Sequence, residues 1–201
     1  KVIEALKLSS RGQAIWRLPS GLDINGLGAS AIALPWWKIN NEYGALLPPH
    51  YETAQIMQIM QMEVDTRVLL IGPRGNWWTE ILLRLGANEI HVVEADSERR
   101  KFLEINWKER GLDLLANNHG CRVTFHDADW LDVNKMSDER EVWDRILITG
   151  ACDIMPSKLF KTLRQGGVGL VPISSEGSPV IRCVTPELDG GLFVRTVTMW
   201  M

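Results

Sequence analysis

The stretch Val68-Leu69-Leu70-Ile71-Gly72-Pro73-Arg74-Gly75-Asn76 decides how the chain is to be read. An unbroken apolar run from Val68 to Ile71 suits a strand buried on both faces of a parallel sheet, where no alternation with polar residues is needed. The run stops at Gly72, and the glycines at 72 and 75 let the backbone turn into a helix that starts near Trp77. A turn of this kind brings free N–H groups of a helix N-terminus up to a ligand. The full Gly-x-Gly-x-x-Gly pattern is absent, and a bare Gly-x-x-Gly is by itself an ordinary strand-to-helix turn.

Working outward, strands and helices alternate. A helix over 77–85 is followed by a β-branched strand, Glu89 to Glu94. Asp96 or Ser97 caps the next helix, which Gly111 ends. Arg122 to His126 and Trp143 to Thr149 read as the third and fourth strands, and a short helix from Ser157 to Leu163 ends at Gly166-Gly167. Val168 to Ile173 is the fifth strand. Pro179 to Thr185 and Leu192 to Met199 are late strands joined through the turn Asp189-Gly190-Gly191. The pattern predicts an α/β fold: a doubly wound, mostly parallel, seven-stranded Rossmann-like sheet with helices on both faces and a terminal antiparallel pair. Upstream, Pro48-Pro49 precedes a helix over 52–63 whose Ala54, Met57, Ile59, Met60 and Met62 fall at helical spacing and read as core packing. The expected organisation is one domain over 1–201, with an N-terminal helical extension and substrate-side segment at 1–65 and the cofactor-binding sheet at 66–201.

Bulk properties narrow the classes. At 201 residues there is no room for a second full domain, and 45% apolar against 23% charged residues is the balance of a chain with a sizeable core. A net charge of -3 and a pI near 5.8 argue against an electrostatic grip on nucleic acid. Cys121, Cys152 and Cys183 are odd in number and far apart, which suits reduced thiols and a cytoplasmic location. No apolar run approaches the roughly 20 residues that span a bilayer, so no membrane partner is expected. His119, Cys121, His126 and Asp127 are metal-ligand types without a zinc spacing, and no metal is expected.

The acids that end the strands carry the chemistry. Glu94 lies 22 positions after Gly72, where a carboxylate accepts both hydroxyls of an adenosine ribose. Asp127, ending the third strand, shares that rim and suits either the adenine amino group or a role in orienting the loop. The same spacing serves a nicotinamide dinucleotide, so these residues alone leave hydride and methyl transfer open.

Longer stretches carry a resemblance. Val68-Leu69-Leu70-Ile71-Gly72, Trp143-Asp144-Arg145-Ile146-Leu147-Ile148-Thr149-Gly150-Ala151 and Leu163-Arg164-Gln165-Gly166-Gly167-Val168-Gly169-Leu170-Val171-Pro172-Ile173 resemble the protein-L-isoaspartate O-methyltransferase family in order and spacing. Leu46-Leu47-Pro48-Pro49-His50-Tyr51 resembles that family's Ile-Ser-Ala-Pro-His-Met segment, Val2 to Leu6 its early helix, and Asp189 to Met199 its late strands with their Asp-Gly turn. The resemblance implies S-adenosyl-L-methionine as cofactor and methyl transfer to a carboxylate of a protein or peptide substrate. It implies cofactor contacts from Gly72, Pro73, Arg74, Gly75, Trp77, Glu94, Ala95, Asp127, Ala128 and Thr149, and substrate-side roles for His50 and position 47. Arg74 suits the methionine carboxylate or an acidic substrate, and Trp36-Trp37 with Trp77-Trp78 suit the walls of the pocket.

The chain departs from the family at telling places. Leu47 stands where the family carries its active-site Ser, Ala45 where it carries a Thr, and Pro73-Arg74 where it carries a small residue and a second glycine. Two further readings follow: a binding module that kept the fold and lost the chemistry, and a methyltransferase of another acceptor, a small molecule or tRNA.

Overall fold

A computed structural model describes residues 1–9, 50–73, 75–128, 142–174 and 180–197. Two helices come first, α1 (Val2–Leu8) and α2 (His50–Met60). Then follow β1 (Thr66–Ile71), α3 (Trp77–Leu85), β2 (Ala87–Val93), α4 (Ser97–Glu109), α5 (Leu112–Asn118) and β3 (Arg122–His126). The second half holds β4 (Trp143–Ile148), α6 (Ser157–Phe160), β5 (Leu163–Ile173), β6 (Val180–Pro186) and β7 (Leu192–Val197).

The strands form one seven-stranded sheet in the order β3-β2-β1-β4-β5-β6-β7. Pairing is parallel from β3 across to β5; β6 runs against both of its neighbours, so β7 returns to the direction of β5. The chain builds outward from β1 to β2 and β3, then crosses back to place β4 on the other side of β1. Connections therefore leave β1 and β4 in opposite directions, and a crevice opens at their carboxyl ends, the usual ligand position in such sheets.

The two faces are covered unequally. Val68, Leu70, Ile90, Val92, Leu147 and Leu170 face a core built with α1 to α5, in which Met57, Met60, Trp77, Ile81, Leu103 and Trp107 are buried. On the opposite face Leu69, Ile146, Ile148, Val171 and Val184 pack with Trp143 and Phe160. Among the described residues, α6 is the helix on that side. Phe160 of α6 explains Gly169: a Cβ there would lie 2.3 Å from the ring.

Toward β3 this second face becomes polar. Glu89 pairs with Arg67 at 2.9 Å and Arg122 at 2.5 Å, and takes a hydrogen bond from His91 Nε2 at 2.8 Å. A neutral His91 donating through Nε2 has an acceptor at Nδ1, so His126 Nε2, 2.9 Å away, is the donor. The two rings are nearly parallel, 5.0 Å between centroids, and Trp143 meets His91 edge-on while Arg67 stacks 4.5 Å above Trp143. Burial, reinforced by His91, depresses the His126 pKa to about 4.

Several boundaries differ from expectation for physical reasons. Gly111 does end α4, at φ 64°, but α5 starts at once and is an additional helix. Strand β5 begins at Leu163 rather than 168, because Gly166 at φ 78° is carried inside the strand as an irregularity opposite Trp143 and Arg145. The preceding helix α6 is correspondingly one turn.

Candidate functional site

The carboxyl edge is held together by its main chain. Gly72 N–H donates to the Val93 carbonyl at 2.8 Å, and Thr149 N–H to that of Ile71 at 3.0 Å, extending the ladder of β1 on both sides. Gly72 then turns at φ 66°, in the left-handed region. Thr149, 8% exposed, donates its hydroxyl to the Gly72 carbonyl, which ties the glycine turn to the end of β4. Its one hydroxyl proton is thereby committed to the turn.

Glu94 N–H donates to the His126 carbonyl at 3.0 Å, setting the exits of β2 and β3 side by side. The Glu94 side chain is buried, 2% exposed. Its Oε1 accepts the Asp96 N–H at 3.0 Å and the Arg99 guanidinium at 3.1 Å, while Arg100 donates to the Glu94 carbonyl at 3.3 Å. Asp96 caps α4 by accepting from Glu98 and Arg99 N–H groups, so the arginine that grips Glu94 stands on a helix fixed by the neighbouring acid. Glu94 Oε2, also buried, has no hydrogen-bond partner among the described residues. A carboxylate oxygen enclosed without a donor is costly, and a ribose hydroxyl is the donor it fits.

Around this centre, Ala95, Asp127 and Ala128 are exposed on the rim, and Pro73 and Gly75 are buried beneath it. Trp77 is fully enclosed in the core at the start of α3, and Trp78 walls a small cavity with Ile56, Leu147, Thr149, Leu170 and Pro172. Leu47, Ala45, Arg74, Trp36, Trp37 and the side chain of His50 lie outside the described residues.

Helix α2 runs against the strands. Its last carbonyl, Met60, and the next, Gln61, accept from Arg145 near the start of β4, the second at 2.7 Å. Ile56, by contrast, shares the small cavity with Thr149 and Pro172 at the strand ends. The first turn of α2 is therefore at the carboxyl edge.

Two features there escaped the sequence. Asn76, fully buried, spans from the glycine turn to α4, donating to the Leu103 carbonyl at 2.9 Å and to Asn106 Oδ1 at 3.0 Å. Glu52, 3% exposed, accepts the Tyr51 hydroxyl on Oε1 at 3.2 Å and leaves Oε2 buried without a partner among the described residues. Burial pushes its pKa up, against the pull of the Tyr51 hydroxyl. An acid in a helix's first turn reads as a solvated partner of the helix dipole, which hides such a residue in sequence.

Comparison with known proteins bears on the family and the fold. The family model described as "Protein-L-isoaspartate(D-aspartate) O-methyltransferase (PCMT)" matches residues 38–200. A protein-L-isoaspartate O-methyltransferase of Yersinia enterocolitica is 29% identical over 143 residues, 70% of this chain and 62% of the relative. One from Aliivibrio salmonicida is 24% identical over 139 residues, 69% of this chain and 61% of the relative. The chain thus matches less than two thirds of the length of these curated relatives. Among solved structures, a Plasmodium falciparum protein described as a protein-L-isoaspartate O-methyltransferase in complex with S-adenosyl-L-homocysteine superposes with a TM-score of 0.70 at 14% identity. That match covers 98% of this chain and 85% of the other, and shows a shared fold.

Proposed function

Because the chain belongs to the protein-L-isoaspartate O-methyltransferase family, we propose that it is an S-adenosyl-L-methionine-dependent methyltransferase whose acceptor is a carboxylate of a protein or peptide. Bound in the crevice, S-adenosyl-L-methionine supplies a methyl group on a positively charged sulfur. Glu94 takes the ribose hydroxyls on its free oxygen, and this oxygen is the observation that carries the proposal. Asp127 receives the adenine amino group, with Ala95 and Ala128 beside it. The turn from Gly72 through Pro73, Arg74 and Gly75 cradles the methionine end, braced by Thr149 and footed on Trp77.

An ionised carboxylate, with an ordinary pKa near 4, needs no general base at neutral pH. One oxygen attacks the methyl carbon, the carbon–sulfur bond breaks, and its electron pair stays on sulfur. No proton changes hands. The protein's task is positioning and exclusion of water, and positioning is worth about 7–11 kcal/mol in favourable cases. His50 and Leu47 belong to the substrate side of this reading. Leucine at 47 in place of the family's Ser removes a hydroxyl partner, at about 1–3 kcal/mol of acceptor binding. The widely spaced cysteines support a cytoplasmic location.

Calorimetry with S-adenosylmethionine and S-adenosylhomocysteine tests the cofactor half, and micromolar affinity is expected. Release of labelled methyl ester from isoaspartyl peptides tests the acceptor half. Failure of both cofactor forms to bind would sink the reading and leave a fold that has lost its chemistry.

A further inference from the structure

Glu52 Oε2 does not stand alone. One turn along α2, Gln55 Oε1 is also buried without a hydrogen-bond partner among the described residues. Residues three apart lie on the same side of a helix, so two enclosed acceptor oxygens share one side of α2 in its first turns. Buried acceptors are satisfied almost everywhere in folded proteins, and a pair of orphans on one helix side marks the place of a ligand that brings donors. That side is at the carboxyl edge: Ile56, the next residue along, walls the cavity that Thr149 also lines, and Thr149 is bonded to the Gly72 turn.

We infer that Glu52 and Gln55 form a substrate subsite that accepts backbone amide N–H groups of the peptide presenting the methyl-accepting carboxylate. The inference rests on the peptide acceptor proposed above. Two acceptors, with no cation acting on Glu52 among the described residues, select a hydrogen-bond donor, and a peptide lying across the edge offers amide N–H groups beside its reactive carboxylate. The carboxylate itself is kept away from Glu52 by like charge, which leaves it to face the crevice. Among the described residues, Tyr51 is the titratable group bonded to Glu52. Since the empty subsite holds Glu52 above the ordinary glutamate range through burial, amide donors arriving at Oε2 favour the charged form and bring it back down.

The test uses the intact chain loaded with S-adenosylhomocysteine and an isoaspartyl hexapeptide blocked at both ends and free of basic residues. The Glu52 side-chain carboxyl is titrated by carbon NMR with and without peptide, and peptide affinity is measured by calorimetry. Expected are a downward shift of the Glu52 titration on adding peptide, a loss of affinity of about tenfold in Glu52→Ala, and S-adenosylhomocysteine affinity unchanged. Glu52→Gln, close in shape, is the companion variant should alanine fail to fold, and it too binds peptide more weakly. If the peptide is esterified in a parallel sample given S-adenosyl-L-methionine in place of S-adenosylhomocysteine, while the Glu52 titration and both variants' affinities stay put, the subsite is wrong and the proposed function stands. If no ester forms yet peptide still moves Glu52, the subsite stands and the activity falls. If neither happens, both are overturned.

Discussion

Glu94 is engaged on one side and open on the other, and that asymmetry makes it the residue to change first. Replacing it with alanine removes the ribose acceptor and frees Arg99; S-adenosylhomocysteine affinity is expected to fall about 10- to 100-fold, one charged hydrogen bond to a ligand being worth about 1.5–3 kcal/mol. Calorimetry on folded protein reads this directly, and unchanged affinity would remove Glu94 from the site. Thr149→Val keeps the shape at the end of β4 but strips the Gly72 carbonyl of its side-chain donor. Cofactor affinity should fall by a smaller factor, about three- to tenfold, because the turn loosens while no direct ligand contact is lost. Glu94 stands out in the sequence because strand, glycine turn and acid follow one another at a fixed spacing. Glu52 and Asn76 are not legible. Nothing local distinguishes a first-turn acid or a pre-helix asparagine that solvent reaches from one enclosed by distant parts of the chain.

Among the elements, the strands of the parallel sheet were readable because burial on both faces forces continuous apolar runs at 68–71 and 146–148. What misled was punctuation. Gly166-Gly167 reads as a helix stop followed by a new strand, whereas the pair is accommodated inside β5, where Gly167 lies so close to the Arg164 carbonyl that a Cβ would approach within 2.8 Å. Gly111 does end α4 as read, but the same residue also opens α5, a helix the sequence reading lacks. The contact of α6 with β5 is tight enough to test by overpacking. Gly169→Ala should cost about 1–3 kcal/mol, and adding Phe160→Leu should recover part of it, measured as a thermal double-mutant cycle. Full additivity of the two changes would show that they do not touch.

At the scale of the whole molecule, acid should weaken the fold through the histidine ladder of β2 and β3. His126 titrates near 4 when folded and near 6.5 when unfolded, so the unfolded chain takes up the proton first. The stability it contributes is complete above about pH 6.5 and is lost as the pH falls toward 4. The melting temperature should decline over that window, and His126→Asn should flatten the decline. An equal slope in the variant would assign the acid sensitivity elsewhere. Glu52 acts in the opposite sense, since burial favours its neutral form, so the same titration in Glu52→Gln should fall more steeply.

The guanidinium of Arg145 reaches from a central strand to the last carbonyls of α2. It therefore makes the upstream helix and the middle of the sheet a single cooperative unit. Amides of α2 and β4 should exchange with deuterium at matching rates under native conditions, through one shared opening. Arg145→Met, which leaves the buried Met60 carbonyl without its donor at roughly 1–3 kcal/mol, should split that unit in two, with α2 exchanging first.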